Sequence, residues 1–337
     1  MQPPSSLPAF GLTRRAYQAA SRVMGITLQN MTLQDWVVSA FHLFMWARVM
    51  AAPDSPDAIV ARRFTLALLT VSVSTILLTR GEILRPGWVR ALAYRVGLFA
   101  PMVLSYISLR WLLPALHPRL LDMQLWAMDE ALFGFSPAIW MARFNVRPIV
   151  EWFSFFYYSY FYILAVVLLP TLFFDRGERQ RELLASAMLV ASIGHPLYTF
   201  VPGLGPYATL AFDEALRGGF FYGLILDTVD QAGAMLDIFP SLHTAYPVMF
   251  ALFAFSRRRE SPYRYVWPIL AFFAVNMVIA TMFLRWHWAV DVVAGLALAV
   301  GSHRLGRAIA LAEAGRSEDW DPRQPTWEPL WPRRSRS

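Results

Sequence analysis

The chain of 337 residues is 57% hydrophobic and only 16% charged. Soluble domains carry about 25% charged residues, so this composition indicates a membrane protein. The absence of cysteine excludes disulfide bonds and thiolate metal sites. The net charge of +7 comes from arginines scattered between apolar runs. They form no single basic stripe, so we expect no nucleic-acid partner.

Apolar segments follow one another along the chain, and a membrane span needs about 20 residues. Residues 1–31 lack a continuous apolar core, so we expect no signal peptide and a cytoplasmic start. Trp36–Met50 is short, and we expect a span there, with an interfacial helix as the alternative. The longer predicted spans are Arg63–Thr79, Val89–Leu113, Ile149–Phe174, Leu183–Val201, Leu242–Phe255, Arg264–Leu284 and His287–Leu311. The predicted fold class is all-α, a polytopic transmembrane helix bundle with about seven or eight spans.

Shorter stretches complete the predicted organisation. Residues 1–61 form an N-terminal segment and residues 62–311 a membrane-embedded domain, while residues 312–337, rich in Pro, Arg and Ser, are expected to be a disordered cytoplasmic tail. Leu121–Phe135 is predicted to be an amphipathic helix lying in the interface plane. Ile193–Tyr207 ends a span in Pro and Gly, which break helices and allow the backbone to approach a ligand.

Charge placement predicts the orientation of the spans. Most arginine clusters, including Arg257, Arg258 and Arg259, fall on one side of the predicted bundle, whereas residues 202–240 carry several acidic residues against a lone Arg217. By the positive-inside rule the arginine-rich side is cytoplasmic. The arginines that run against this rule are Arg62, Arg63, Arg143 and Arg147.

Two motifs carry most of the functional signal. PSLH at Pro240–His243 and HWAVD at His287–Asp291 each place a histidine at the start of an apolar segment. Two predicted spans separate the histidines, so both are expected at the same, outer surface. Asp291 follows His287 by one helical turn and shares its face. Burying such polar groups at the rim of a membrane bundle costs free energy, so we expect them to have a catalytic function. The alternative is a metal site made of the two histidines and the carboxylate.

These motifs resemble the second and third signature motifs of the type 2 phosphatidic acid phosphatase superfamily. Asp129–Gly134 (DEALFG), Phe156–Phe161 (FYYSYF) and Val201–Tyr207 (VPGLGPY) resemble the branch that contains inositol phosphorylceramide synthases and their bacterial relatives. The resemblance covers roughly Leu121–Gly301. It implies a six-helix phosphatase-type core with extra N-terminal helices, catalytic activity in residues 62–311, and a bacterial inner-membrane location with the active site facing the periplasm.

The resemblance also implies metal-free phosphoryl transfer through a phosphohistidine, without a cofactor. His287 would attack phosphorus, Asp291 would bond its other ring nitrogen, and His243 would protonate the leaving oxygen. Free N–H groups and the helix dipole at the two helix starts would favour a bound phosphate.

The phosphate-binding set departs from the superfamily pattern. Thr281 stands where the third motif usually has an arginine, and we expect Arg285 to replace it. The Lys and Arg-Pro of the first motif are not found. Ser241, Tyr207 and backbone N–H groups near Gly205 are the further candidates for binding phosphate.

We therefore predict a lipid phosphotransferase that moves a phosphoinositol-like head group between lipids, as in sphingolipid and phosphatidylinositol metabolism. The first alternative is hydrolysis of a lipid or polyprenyl phosphate, and the second is a transporter or scaffold without catalysis.

We interpret the aromatic run around Phe156–Phe161 as packing and lipid contact, although tyrosines on one face can line an acyl groove. Asp129 and Glu130 are interpreted as an interfacial face. His195 is interpreted as a hydrogen-bonded structural residue, with a place in the pocket as the alternative. The remaining histidines are interpreted as interfacial: His42, His117 and His303.

Overall fold

The computed structural model describes residues 14–116, 119–232, 235–318 and 321–331, and every regular element within them is helical. This confirms the predicted all-α class. The helices are α1 (Arg14–Asn30), α2 (Leu33–Met50), α3 (Pro56–Arg80), α4 (Trp88–Ala115), α5 (Asp122–Phe133), α6 (Pro137–Met141), α7 (Arg147–Tyr158), α8 (Tyr160–Phe173), α9 (Gly177–Tyr198), α10 (Pro206–Thr209), α11 (Phe220–Ala232), α12 (Leu242–Ser256), α13 (Tyr263–Phe283) and α14 (Ala289–Ala312), with short 3-10 helices at Ala142–Phe144 and Ala314–Ser317.

Five segments of the described chain are long and apolar enough to cross a membrane: α3, α4, the consecutive α7 and α8, α13 and α14. The shorter α12 is apolar over 15 residues. The predicted spans within α2 and α9 form helices, but these two helices fall outside that set of five. The predicted span Ile149–Phe174 is divided at Ser159 into α7 and α8.

The helix α12 lies at the centre of the bundle, where it packs against α8, α9, α13 and α14. Its residues Met249 and Phe250 are fully buried. The start of α12 comes close to α14 because Gly295 has no side chain: a Cβ there would lie 2.5 Å from the Ser241 carbonyl oxygen. This close approach brings the two histidine-bearing helix starts to the same end of the bundle.

The N-terminal helices form a second group that docks on the central bundle through α9. Helices α2, α3 and α4 pack on one another, and α2 and α4 both contact α9. The first turn of α2 is capped by Thr32, whose side chain accepts from the Asp35 N–H while Asp35 accepts from the Thr32 N–H. His42 on this helix is buried, so its predicted interfacial position is wrong. His117 lies outside the described residues.

The C-terminal segment departs from the expected disorder, because residues 321–331 pack against α3 and α4. The Arg80 guanidinium donates to the carbonyl oxygens of Pro325 and Thr326, each at 3.0 Å. Arg90 forms an ion pair with Glu328, and the Trp327 ring lies 5.1 Å from the Tyr94 ring. Composition alone could not predict these contacts, since the arginines that bind residues 321–331 lie in helices far away in sequence.

We expect Trp327→Ala to destabilise the protein, because this ring is only 8% exposed. Removing a buried tryptophan costs about 3–5 kcal/mol in typical cores. The measurement is thermal unfolding of the purified protein in detergent. Trp331→Ala is the matched control, since Trp331 is 58% exposed, and equal losses in both variants would contradict a folded C-terminal segment.

Candidate active site

The two predicted histidines meet at one end of the bundle. His243 stands in the first turn of α12, and His287 lies two residues before α14 begins. Their ring centroids are 5.8 Å apart. A tetrahedral phosphate group placed between the rings can contact both of them, so the arrangement permits one shared site.

Asp291 lies beside His287, as its position one turn later suggests. Its Oδ2 atom is 3.5 Å from His287 Nδ1 and accepts a 2.9 Å hydrogen bond from the Trp288 N–H. Within the described residues, His287 Nδ1 and Asp291 Oδ1 have no hydrogen-bond partner. A movement of about half an ångström would bring the pair into hydrogen-bonding distance, and catalytic contacts often tighten in this way when substrate binds.

Two tyrosines from the aromatic run hold His243. The Tyr157 ring stacks on the imidazole with centroids 4.4 Å apart and planes 16° apart. The Tyr160 ring is 4.2 Å away. The break between α7 and α8 at Ser159 separates these two tyrosines. The interpretation of this run as packing and lipid contact alone is therefore incomplete, because it also fixes the candidate acid.

Asp237 is a site residue that the sequence analysis missed. It lies six positions before His243 in the connection from α11 to α12, and the Tyr106 hydroxyl is within hydrogen-bonding reach of its carboxylate. Burial raises the pKa of Asp237 to about 6, and the hydrogen bond from Tyr106 and the charge of His287 act in the opposite direction. Its spacing from PSLH was visible in the sequence, but its burial was not.

Burial also changes the pKa of His287, the candidate nucleophile. Burial lowers the pKa of His287 to about 4, while the neighbouring Asp237 carboxylate acts in the opposite direction. The imidazole is therefore neutral at physiological pH, and a nucleophilic histidine needs this form.

Two cavities meet at His243. The first, of about 90 Å³, contains both histidines and is the histidine cavity. The second, of about 130 Å³, is the apolar cavity between α4, α8, α9 and α12. His243, Asp237, Tyr106 and Phe161 line both cavities, whereas His287 lines the first. His195 lines the apolar cavity and makes a 3.0 Å hydrogen bond with Ser105, which fits its predicted structural role.

Of the four residues predicted to bind phosphate, Tyr207 lines the histidine cavity. Arg285 lines an adjacent open cavity of about 400 Å³, which shares Tyr207 and Trp286 with the first. Its guanidinium donates to the Glu214 carbonyl oxygen at 3.0 Å. Arg285 is thus beside the histidine cavity and does not line it.

The other two predicted phosphate ligands have different partners. Ser241 is fully buried, and its side chain caps α12 by accepting from the Thr244 N–H. The Gly205 N–H donates to Asp122 Oδ1 at 2.8 Å. Gly205 has a φ of +95°, and a Cβ there would lie 2.3 Å from the Trp286 carbonyl oxygen. This glycine therefore permits close packing of two loops, and its N–H faces a carboxylate.

Two buried carboxylates on α5 fix the loops around the site, and this corrects the interpretation of Asp129 as part of an interfacial face. Asp122 accepts from the N–H groups of Leu204 and Gly205 and from Trp288 Nε1. Seven residues later on the same face, Asp129 accepts from the N–H groups of Ala289 and Val290 at 2.9 and 2.8 Å.

This arrangement also changes the expected role of the α14 helix start. Carboxylates already accept from the N–H groups of Trp288, Ala289 and Val290. Those donors are therefore not free to bind phosphate, and the prediction of a free helix N-terminus beside His287 is wrong. Among the residues that the structure describes, no group of three or more His, Asp and Glu side chains is arranged to hold a metal ion.

Comparison with known protein families gives one match, described as the PAP2 superfamily, over residues 123–305. The matched region begins in α5 and ends in α14, so it contains both histidine motifs. It excludes α1 to α4. No curated protein and no solved structure matches the chain.

We expect Asp129→Ala to lower both stability and activity, because it leaves two buried N–H groups at the start of α14 without an acceptor. Each loss of this kind costs about 1–3 kcal/mol, and displacement of the nearby His287 should slow turnover by about tenfold or more. Thermal unfolding and turnover of a lipid phosphate measure the two effects. The adjacent Glu130→Ala is the control, since Glu130 is exposed. Similar behaviour of the two variants would contradict the role of Asp129 in fixing the start of α14.

We expect Asp237→Asn to raise the Tm at neutral pH while lowering activity. Because the folded state holds the pKa of Asp237 near 6 and the ordinary value is 3.8, the folded state binds more protons between these pH values. Stability from this group is therefore present below about pH 4 and is lost as the pH rises through 6. The Tm of the variant should therefore rise above that of the wild type as the pH increases from about 4 to about 6.

The control for this measurement is Asp227→Asn, since Asp227 is exposed on α11. It should leave the Tm unchanged at every pH. A Tm of Asp237→Asn that follows wild type across the same pH range would show that the carboxylate is not held in a buried, charged state.

Proposed function

Because the chain belongs to the PAP2 superfamily, we propose that it is a membrane phosphotransferase that moves a phosphate-linked head group from one lipid alcohol to another through a phosphohistidine. The family supports a membrane phosphatase or phosphotransferase. The apolar helices support a membrane location. The transfer reaction, the phosphohistidine, the head group and the lipid acceptor are the parts that we infer.

In the first half-reaction, a ring nitrogen of His287 attacks phosphorus and forms a P–N bond. The bond from phosphorus to the oxygen of the donor lipid breaks, and that oxygen takes a proton from His243, which starts as an imidazolium that the bound phosphate anion stabilises. Asp291 then balances the positive charge on the phosphorylated ring. Tyr157 and Tyr160 keep His243 directed at the leaving oxygen through their ring contacts.

In the second half-reaction, the hydroxyl of the acceptor lipid gives its proton to His243 and attacks phosphorus. The P–N bond breaks, and its electron pair returns to the ring of His287. Both histidines then have their starting protonation, so the cycle needs no cofactor. The neutral state of His287, which follows from its lowered pKa, suits the first attack.

The observation that carries the transferase proposal is the contact of His243 with the apolar cavity. A leaving or accepting oxygen beside this ring has hydrocarbon surroundings on one side. An apolar acceptor pocket favours a lipid alcohol over water as the acceptor, because water gains little there. Hydrolysis of a lipid or polyprenyl phosphate has the same first half-reaction and is the alternative.

The cavity that contains Arg285 supports a polar head group larger than phosphate. It adjoins the histidine cavity and is lined by Tyr207, Tyr222, Asp230 and Arg285 among its polar groups. Hydroxyl, carboxylate and guanidinium groups can bind a polyol such as inositol through hydrogen bonds. We place this end of the bundle at the periplasmic side of a bacterial inner membrane, since the arginine-rich loop with Arg257 lies at the other end of α12.

The test uses purified protein in lipid nanodiscs with labelled phosphatidylinositol and either ceramide or diacylglycerol. We expect a labelled, acid-labile phosphoenzyme and a labelled lipid product. His287→Asn should abolish both, and His243→Asn should slow turnover by about a thousandfold or more. His303→Asn is the control, because His303 lies near Glu182 far from the site.

Three results would contradict the proposal. Release of free inositol phosphate without a lipid product would favour hydrolysis. Wild-type turnover in both His243→Asn and His287→Asn would exclude the phosphohistidine mechanism. Absence of any turnover in the wild-type protein would leave a transporter or scaffold.

A further inference from the structure

We infer that the apolar cavity binds one acyl chain of the lipid alcohol, and that this chain enters from the bilayer between α4 and α8. The inference rests on the proposed function for its chemistry. The substrate class of the cavity is then a lipid alcohol, and the residues that line the cavity select that alcohol. In a two-step transfer the departing and the accepting alcohol occupy the same place opposite His287, so one cavity serves both in turn.

The lining of the cavity matches a hydrocarbon chain. Its walls come from four helices, and its polar groups lie mainly at the end beside His243. An acyl chain there gains free energy from burial without leaving polar groups unpaired. The apolar side chains that line it are Phe99, Met102, Val103, Phe161, Leu164, Leu168, Ala187, Met188, Ala191 and Leu242.

The cavity reaches the lipid-facing surface between α4 and α8. Val103 on α4 is 65% exposed and Phe161 on α8 is 47% exposed, and both also line the cavity. Helix α4 packs on α3 and α9, whereas α8 packs on α9 and α12. Between α4 and α8 the rings of Tyr106 and Phe161 approach each other, with centroids 6.2 Å apart. These two rings form the inner edge of the opening.

The polar end of the cavity suits a hydroxyl group. Asp237 and His243 both line it there, and the Tyr106 hydroxyl is within hydrogen-bonding reach of Asp237. A lipid alcohol whose chain fills the apolar part would place its hydroxyl among these groups. A buried hydroxyl needs such a partner, so the cavity accommodates both ends of the molecule.

One wall of the cavity lies outside the part of the chain that matches the superfamily. Phe99, Met102, Val103 and Tyr106 belong to α4, which precedes residues 123–305. The matched core provides the reacting histidines, and α4 closes the cavity next to them. Helix α4 therefore contributes to selection of the lipid alcohol from outside the matched region.

The first test compares acceptors that differ only in acyl length. Ala191→Phe puts a large ring into the cavity, and Val103→Trp obstructs its opening. Both variants should lower the rate ratio of hexanoyl to acetyl acceptor by about tenfold or more, because a hexanoyl chain already fills a cavity of about 130 Å³. A thermal unfolding temperature close to that of the wild type checks that the two variants are folded.

The matched control is Val96→Trp. Val96 is 48% exposed on α4, lies two turns before Val103 on the same face, and does not line the cavity. It should keep the wild-type preference for acyl length. An unchanged ratio in Ala191→Phe and Val103→Trp, with phosphoenzyme formed normally, would overturn the inference and leave the proposed function intact.

The second test measures binding without catalysis. A lipid alcohol with a diazirine in its acyl chain is irradiated with wild-type protein, His287→Asn and Ala191→Phe, and the labelled residues are identified by mass spectrometry. We expect labels at Met102, Leu164 and Met188 in the first two proteins and a strong decrease in Ala191→Phe. Labels restricted to lipid-facing positions such as Val166 would overturn the inference.

The two tests separate the two proposals. Cavity labelling in a wild-type protein that forms no phosphoenzyme would retain the binding site and reject the phosphotransferase.

Discussion

The position of His287 depends on two buried carboxylates that belong to α5. Asp129 accepts from two N–H groups at the start of α14, and Asp122 accepts from the loop before α10 and from the Trp288 ring. Charge-assisted hydrogen bonds to carboxylates are stronger than those between neutral groups. The candidate nucleophile His287 therefore lies next to a helix start whose N–H donors are all directed to fixed acceptors, and substrate binding does not have to order it.

The reacting groups divide the site into regions of different polarity. His243 lies between the rings of Tyr157 and Tyr160 and contacts both the histidine cavity and the apolar cavity. On the other side, Tyr207 and Trp286 connect the histidine cavity with the cavity of Arg285. A molecule with a polar head group, a phosphate and a hydrocarbon chain matches this order of surroundings.

The sequence predicted the helical class and the meeting of the two histidines, because both follow from apolar runs and from counting spans between them. It did not predict the carboxylate contacts of α5, since the N–H groups that Asp129 binds are 160 and 161 residues away. For the same reason, the burial of Asp237 beside Tyr106 could not be inferred from its neighbours in sequence. Arg285 was placed near the site by its spacing from His287, but its positive φ of 68° and its contact with Phe212 direct it to the adjacent cavity.

The packed segment 321–331 has a practical consequence for protein engineering. Carbonyl oxygens of this segment accept from Arg80, and Glu328 pairs with Arg90. A truncation before residue 321 would leave both guanidinium groups without these acceptors. Affinity tags and fluorescent fusions are therefore best attached without removing residues 321–331.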